Sequence, residues 1–199
     1  MLTLYHAPQS RSSTIVLLLE ELRITDRVIL HQVSIPRHDG AGARDPANPH
    51  PEGKVPLLVD GDVAIRERGA IILYLTDMFP EAGLGPLVGD AKRGAYLSWL
   101  DWYGSVFEPV FIFKMMEIDN PVLHSTFRGM VEAVEAIESA LANGPYLLGD
   151  TYSAADLLVA SPFAWMPAMT PDSPVVRDWI ARCEARPAVA KITTLDGTI

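Results

Sequence analysis

The stretch "YHAPQSRSSTIVLLLEEL", Tyr5 to Leu22, sets a knot of polar side chains directly before an apolar helix. Ser10, Ser12 and Ser13 carry hydroxyls and Arg11 a guanidinium. A hydroxyl at a helix start ordinarily satisfies the orphan N–H groups of the first turn. Three serines in four positions exceed what one cap requires. A hydroxyl donor beside a helix N-terminus also suits an anion, and a thiolate is one such anion. Two other stretches carry comparable chemistry. In "GKVPLLVD", Val55 precedes Pro56 at the start of a strand, a position compatible with a cis peptide. A tight turn there exposes the Val55 N–H and C=O to an extended peptide ligand, which would pair as an added strand does. In "RERGAIILYL", Glu67 stands just before an apolar helix. As a structural group it favours the helix dipole. As a ligand group it takes an ammonium, while the neighbouring helix N–H groups take a carboxylate. An amino-acid-like ligand end needs both.

These groups need elements to position them. Leu2 to Tyr5 predicts a strand, Ser12 to Leu22 a helix with Ile15, Leu18, Leu19 and Leu22 at helical spacing, and Val28 to Val33 a second strand. One helix between two strands makes a β-α-β unit with a parallel pair. Ser34 to Gly53 is rich in Pro, Gly, Ala, Asp and His without a period and predicts a long loop. "VPLLVDGDVAI" predicts a hairpin around Asp60-Gly61-Asp62, and "RGAIILYLTDMF" a helix stopped by Pro80. "PEAGLGPLVGD", 80–90, predicts a linker. Beyond it everything predicts helix: 91 to about 118, 122 to 141, the helix opened by "TYSAADLLVASPFAW", 174 to 185 and 187 to 195. Ser153 with Asp156 three residues on reads as a capping box, and Tyr152 with Leu157 as a hydrophobic staple. The expected organisation is a small α/β domain over 1–80, a linker over 81–90 and an all-helical domain over 91–199.

The bulk numbers set outer limits. A chain of 199 residues with 49% hydrophobic and 21% charged residues has ample core material for a soluble globular protein. A net charge of −9 argues against a nucleic-acid binder, which needs a basic face. The single cysteine, Cys183, permits neither an internal disulfide nor a cysteine-based zinc cluster, and fits a reducing cytoplasmic setting. The opening "LTLY" lacks the basic region and long apolar run of a signal peptide, and no run of ~18 apolar residues predicts a membrane span. The five histidines, at 6, 31, 38, 50 and 124, have no HExxH-like pairing, so no metal is expected. Tyr103, Phe107 and Phe111 lie in an aromatic stretch that reads as core, with some rings available to line an apolar pocket.

The order β-α-β, loop, "GKVPLLVD", "ERGAIILYL", then helices with "YLLGDTYSAAD", resembles the cytosolic glutathione transferases over nearly the whole chain. The opening knot is similar to that of bacterial and fungal members with a Ser-Arg-Ser motif before the first helix. The resemblance implies a thioredoxin-like α/β N-terminal domain plus an all-α C-terminal domain. It implies glutathione as co-substrate, a cytoplasmic homodimer, and conjugation of the thiolate to a small hydrophobic electrophile, a detoxification chemistry. The alternatives on the same fold are a binding module without efficient chemistry, or a glutathione-dependent peroxidase or isomerase.

In the serine-type members a hydroxyl after the first strand donates to the glutathione sulfur. Lowering a thiol pKa by ~2 units takes roughly 2.7 kcal/mol. One charge-assisted hydrogen bond supplies ~1.5–3 kcal/mol and a helix N-terminus up to ~1 kcal/mol. Alignment to theta- and zeta-like members puts Ser10 at the catalytic position. Alignment to beta-like members puts Arg11 at their cysteine and Ser12 beside it. Ser10 is preferred because it sits in the loop ahead of the helix. Residue by residue, Val55 with Pro56 is similar to the turn that pairs with the cysteinyl backbone, and Glu67 to the partner of the γ-glutamyl ammonium. His50 and Lys54 are candidates for the glycyl carboxylate, and Arg11 belongs to the same glutathione-binding knot. Tyr103, Phe107 and Phe111 are candidates for the electrophile pocket. The chain departs from the pattern at Arg68, where the family usually has Ser or Thr; an arginine there either takes the γ-glutamyl carboxylate bidentately or blocks the site by its bulk.

Overall fold

In the computed structural model, which describes residues 1–195, alternation at the N-terminus becomes strand β1, Leu2–His6, with Leu2, Leu4 and His6 turned into the interior. Helix α1, Ser13–Leu22, follows and buries Ile15, Val16, Leu18, Leu19 and Leu22. It ends at Arg23 in the left-handed region, whose N–H bonds back to Glu20 and Leu19 carbonyls. Strand β2, Val28–Gln32, lies parallel to β1. Strands β3, Leu57–Asp60, and β4, Val63–Ile65, form the expected hairpin, with Gly61 at φ +56° in its turn. The sheet order is β2-β1-β3-β4, with β3 antiparallel to β1. Helix α2, Arg68–Met78, closes this part of the chain.

No strand or helix forms between Gln32 and Leu57, as the composition predicts. The segment is held instead by side chains bonding to nearby backbone, which satisfies groups that a ladder would otherwise take. Ser34 N–H donates to Asp45 Oδ2 (3.0 Å), Arg44 Nη2 to the Pro51 carbonyl (2.8 Å), and Asn48 Nδ2 to the Lys54 carbonyl (3.0 Å). Donation from the Ser34 and Ala47 N–H groups holds the Asp45 carboxyl below its ordinary pKa. Gly42 sits at φ +69°, and a Cβ there would lie 2.2 Å from the Ile35 carbonyl oxygen, so only glycine closes this loop.

The remaining helices are α3, Arg93–Trp102; α4, Glu108–Met115; α5, Pro121–Phe127; α6, Met130–Leu141; α7, Ala154–Trp165; α8, Pro174–Glu184; and α9, Pro187–Leu195. A π-helical turn, Tyr103–Phe107, joins α3 to α4 without a break in the chain's helical course. The single helix expected over 122–141 is two. Asn120 accepts from Val122 N–H ahead of Pro121 to start α5, and Glu132 accepts from Gly129 N–H (3.0 Å) to start α6. The G-x-x-E spacing at Gly129 was a second start signal inside an otherwise periodic run.

The chain divides into two compact units. The first holds Met1–Ala82 and α9, the second Gly83–Arg186. The division falls between Ala82 and Gly83, and α9 groups with the first unit rather than with the other helices. It packs on α1, and Lys191 Nζ pairs with Glu20 at 3.0 Å.

The second unit is organised around Asp156, which has no solvent exposure. Its Oδ1 accepts from Leu147 N–H (2.8 Å) and Trp179 Nε1–H (2.9 Å), and its Oδ2 from Ser153 N–H (2.9 Å) and the Ser153 hydroxyl (3.0 Å). The capping-box partner therefore also joins the loop before α7 to α8. Burial pushes its pKa up, while the four donors pull it down. Ser153→Ala is expected to cost about 1 kcal/mol, as loss of a cap does. Asp156→Ala strands four buried donors and is expected to cost roughly 3 kcal/mol or more in urea unfolding. Equal losses in the two variants would reduce Asp156 to a simple cap.

Candidate functional site

The sheet register brings the chemically interesting positions of the first unit to one end. The β1–β3 ladder ends at Tyr5↔Leu57, so Ala7 and Val55 both lie just beyond it. The β3–β4 ladder starts at Leu58↔Ile65, which sets Glu67, two residues further, at the same end. Because β2 runs parallel to β1, its C-terminal residue Gln32 comes there too, and Val33 N–H donates to the His6 carbonyl at 2.8 Å.

The hydroxyl knot closes the turn from β1 into α1. Ser12 Oγ has no solvent exposure. It accepts from Ala7 N–H (3.2 Å), lies 2.7 Å from His6 Nδ1 and 2.7 Å from Ser10 Oγ, and reaches the Ala7 carbonyl at 3.2 Å. Ser10 Oγ is partly exposed and donates to the Ala7 carbonyl at 2.7 Å, while accepting from Ser12 N–H at 3.2 Å. Ser13 Oγ accepts from Ser10 N–H at 3.3 Å. None of the three hydroxyls caps α1. Ser12, at the N-cap position, is in the helical region and makes no side-chain cap bond. The ordinary capping role of a hydroxyl at a helix start is therefore not what these serines do: all three bond back into the turn, because Ser12 already has helical dihedrals and its side chain points toward β1. Arg11 is exposed between the two inward serines.

Arg37, from the long loop, fixes the same turn from outside. Its Nη2 donates to the Pro8 carbonyl (2.6 Å) and its Nη1 to the Gln9 carbonyl (3.2 Å). Gln9 is held at φ +52°, a region non-glycine residues rarely occupy. A concavity of about 520 Å³ opens beside it, with Pro8, Gln9, Gln32, Ser34, Arg37 and Asp45 in its wall. Sequence reasoning passed over both His6 and Arg37. Only the polar residue's place at a strand end marked His6, and Arg37 lay in a segment without a period.

The Val55–Pro56 peptide is cis. Val55 is half-buried and off the ladder, and Pro56 is buried. Glu67 is exposed at φ +65°, ψ +129°, a backbone state that costs about 1–3 kcal/mol for a residue with a side chain. Arg68 begins α2 but is only 8% exposed. Its Nη1 donates to Thr14 Oγ1 on α1 at 3.4 Å, which places the guanidinium inside the unit. Lys54 is exposed and paired with Glu52 at 2.5 Å, which lowers the Glu52 pKa.

His50 is 5% exposed, and its Nδ1 accepts from Glu52 N–H at 3.0 Å. Its own N–H donates to Asn48 Oδ1 at 3.1 Å and its carbonyl accepts from Gly53 N–H at 2.8 Å. These bonds make it the organiser of the turn leading to Lys54. With Nδ1 an acceptor, the proton sits on Nε2. Burial lowers its pKa.

In the second unit, Tyr103, Phe107 and Phe111 are 3%, 0% and 2% exposed. Phe107 stacks on Trp102 at 5.0 Å and meets Phe163 at 5.8 Å, and Phe111 meets Phe163 at 5.9 Å. The three rings expected at a pocket are core rings of this unit. Trp165, 6.5 Å from Phe111, is the exposed edge of the cluster at 50%. Cys183 is buried, and desolvation pushes its thiol far up, so it stays protonated and unreactive. Among the described residues no group of three or more His, Cys, Asp or Glu side chains is placed to hold a metal ion, and no helix is long and apolar enough to cross a membrane.

The model of the glutathione S-transferase N-terminal domain matches residues 4–83, and that of the glutathione S-transferase C-terminal domain residues 77–189. The chain is 26% identical over 169 residues to glutathione S-transferase F14 of Arabidopsis thaliana, covering 75% of this chain and 66% of that protein, just under two thirds of its length. It is 27% identical over 215 aligned positions to the disulfide-bond oxidoreductase YfcG of Escherichia coli, covering 96% and 94%. A glutathione transferase structure from Methylococcus capsulatus superposes with a TM-score of 0.78 at 27% identity, over 100% of both chains.

Two outcomes are expected from this site. A histidine whose folded pKa is lowered binds fewer protons folded than unfolded below pH ~6.5, so its contribution is present above that value and lost as pH falls. Stability of the wild type should therefore drop below pH ~6.5 more steeply than that of His50→Gln, read by urea midpoints across pH. Parallel curves would remove His50 from the titration. Arg68→Ser should lower the melting temperature by releasing α2 from α1, and change glutathione affinity by less than about fivefold, or ~1 kcal/mol. A large gain in affinity would make Arg68 an obstruction.

Proposed function

The chain belongs to the glutathione S-transferase family, and we propose that it binds glutathione at the sheet end carrying Ser10, Val55 and Glu67 and transfers its thiolate to a small hydrophobic electrophile. The observation that carries this reading is the gathering of a partly exposed hydroxyl, an off-ladder strand backbone and an exposed carboxylate at one end of one sheet. A tripeptide laid antiparallel to Val55 pairs its cysteinyl backbone there and brings its sulfur toward the β1–α1 turn. Glu67, held out by its unusual backbone state, takes the γ-glutamyl ammonium. The start of α2 beside it takes the carboxylate through helix N–H groups.

At the sulfur, Ser10 exchanges one acceptor for another. Its hydroxyl, now given to the Ala7 carbonyl, turns to the thiolate, and a charge-assisted bond of ~1.5–3 kcal/mol replaces a neutral one. Ser12, closed to solvent, supports Ser10 rather than touching the ligand. His50 orders the turn before Val55 and carries its Nε2–H as a neutral donor toward the glycyl end, with Lys54 and Arg11 supplying charge. The chain supplies no reactive thiol of its own, since Cys183 is buried and protonated.

A second reading shares this site. The Escherichia coli relative is named a disulfide-bond oxidoreductase, and the same thiolate can attack a disulfide sulfur instead of a carbon electrophile. The electrophile pocket, the cytoplasmic setting and the homodimer belong to the proposal as well; sedimentation as a monomer at micromolar concentration would remove the dimer.

Glutathione should raise apparent stability by about 2.7 kcal/mol at a hundredfold excess over its dissociation constant. Ser10→Ala should raise the pKa of the bound thiol by about 1–2 units, the equivalent of ~1.4–2.7 kcal/mol, and slow single-turnover conjugation correspondingly. Ser13→Ala should change the rate little. A shift in Ser12→Ala with none in Ser10→Ala would transfer the sulfur contact to Ser12. Parallel assays with a carbon electrophile and a small disulfide separate transfer from reduction.

A further inference from the structure

We propose that His6 is the internal proton acceptor for the bound thiol, reached through Ser12 and Ser10. This rests on the glutathione reading of the site. The three groups form an unbroken line from the partly exposed Ser10 inward. Ser10 Oγ to Ser12 Oγ is 2.7 Å, and Ser12 Oγ to His6 Nδ1 is 2.7 Å. Both inner members are shut off from water, at 0% and 3% exposure, so a proton moving along them does not exchange with solvent on the way.

The distances accommodate two hydrogen arrangements. In one, Ser10 releases the Ala7 carbonyl and donates to Ser12, and Ser12 donates to His6 Nδ1, with the ring proton on Nε2. In the other, His6 Nδ1–H donates to Ser12, Ser12 to Ser10, and Ser10 outward, where the Ala7 carbonyl at 2.7 Å is its acceptor without ligand. In both, Ser12 also accepts from Ala7 N–H and Ser10 from Ser12 N–H, so the oxygens keep their places. Proton transfer converts the first arrangement into the second. The S–H bond of glutathione breaks and its proton joins Ser10 Oγ; the Ser10 proton passes to Ser12 Oγ; the Ser12 proton passes to His6 Nδ1. The products are a thiolate and an imidazolium, and no atom or charge is left over. The transfer leaves the Ser10 hydroxyl pointing at the sulfur, which is the bond the thiolate needs. The imidazolium in turn is stabilised by the new negative charge two hydroxyls away.

Gln32 is the ladder partner of His6 on β2, and Ser12, just ahead of α1, meets its ring. His6 touches no substrate atom and acts through the two serines. Its role is therefore read in proton balance rather than in rate alone.

The experiment measures thiolate formation and proton release on the same sample. Glutathione is added to the wild-type protein in mildly alkaline buffer, and the measurement is repeated across pH. Thiolate is followed by its ultraviolet absorbance, and released protons by calorimetry in buffers of different ionisation enthalpy. S-methylglutathione, which has no thiol proton, gives the background from all other groups. Thiolate formation with far less than one proton released per thiolate is the expected result. A full proton per thiolate in the wild type would overturn the relay and leave the glutathione site intact. Absence of binding by either tripeptide would overturn the reading on which the relay rests. His6→Asn keeps an acceptor near the Nδ1 position and cannot be protonated. It should bind S-methylglutathione with unchanged affinity and release a full proton per thiolate, or form several-fold less thiolate. A His6→Asn protein with the wild-type proton balance would likewise overturn the relay, and the wild-type measurement decides the matter if the variant does not fold.

Discussion

One hydroxyl without access to water, Ser12 Oγ, joins the end of β1 to the start of α1. It bonds the Ala7 amide, contacts the His6 ring and carries Ser10. The position of Ser10 therefore depends on an interior contact rather than on the loop's surface. Arg37 holds the other side of the turn through the Pro8 and Gln9 carbonyls, and this explains how Gln9 is kept at a positive φ. A chemical group on a turn is usually imprecise; here two buried or half-buried polar anchors give it the fixity of the sheet.

The departure at Arg68 has a structural explanation in the same unit. A guanidinium at the head of α2 with 8% exposure lies against Thr14 on α1. The inward guanidinium makes the change at Arg68 a matter of packing between α1 and α2.

The helical unit shows how one carboxylate can serve several elements. Asp156 answers the Ser153 amide at the start of α7, the Leu147 amide in the preceding loop and the Trp179 indole on α8. Its stabilising value comes from four donors that would otherwise be buried unsatisfied. The aromatic cluster around Phe107 fills the remainder of that interior, and the π-helical turn at Tyr103–Phe107 carries two of its buried rings.

Much of this was legible from residues alone. Periodicity marked β1, α1, the hairpin and α2, because burial of alternate or i, i+3, i+4 positions leaves a pattern in one dimension. The clustered serines, Val55 before Pro56, and Glu67 before an apolar run marked the candidate site for the same reason: each is a local motif. The tertiary structure decided what depends on distance in space. It paired α9 with α1 across more than 150 residues of sequence, as the Lys191–Glu20 pair records. It turned Arg68 inward, buried His50 and the three aromatic rings, and split the 122–141 run at Gly129. It also gave each serine of the knot its direction. A sequence fixes which hydroxyls are near a helix start; only the folded backbone, with Ser12 already in helical dihedrals, determines that they point back to β1 and meet His6.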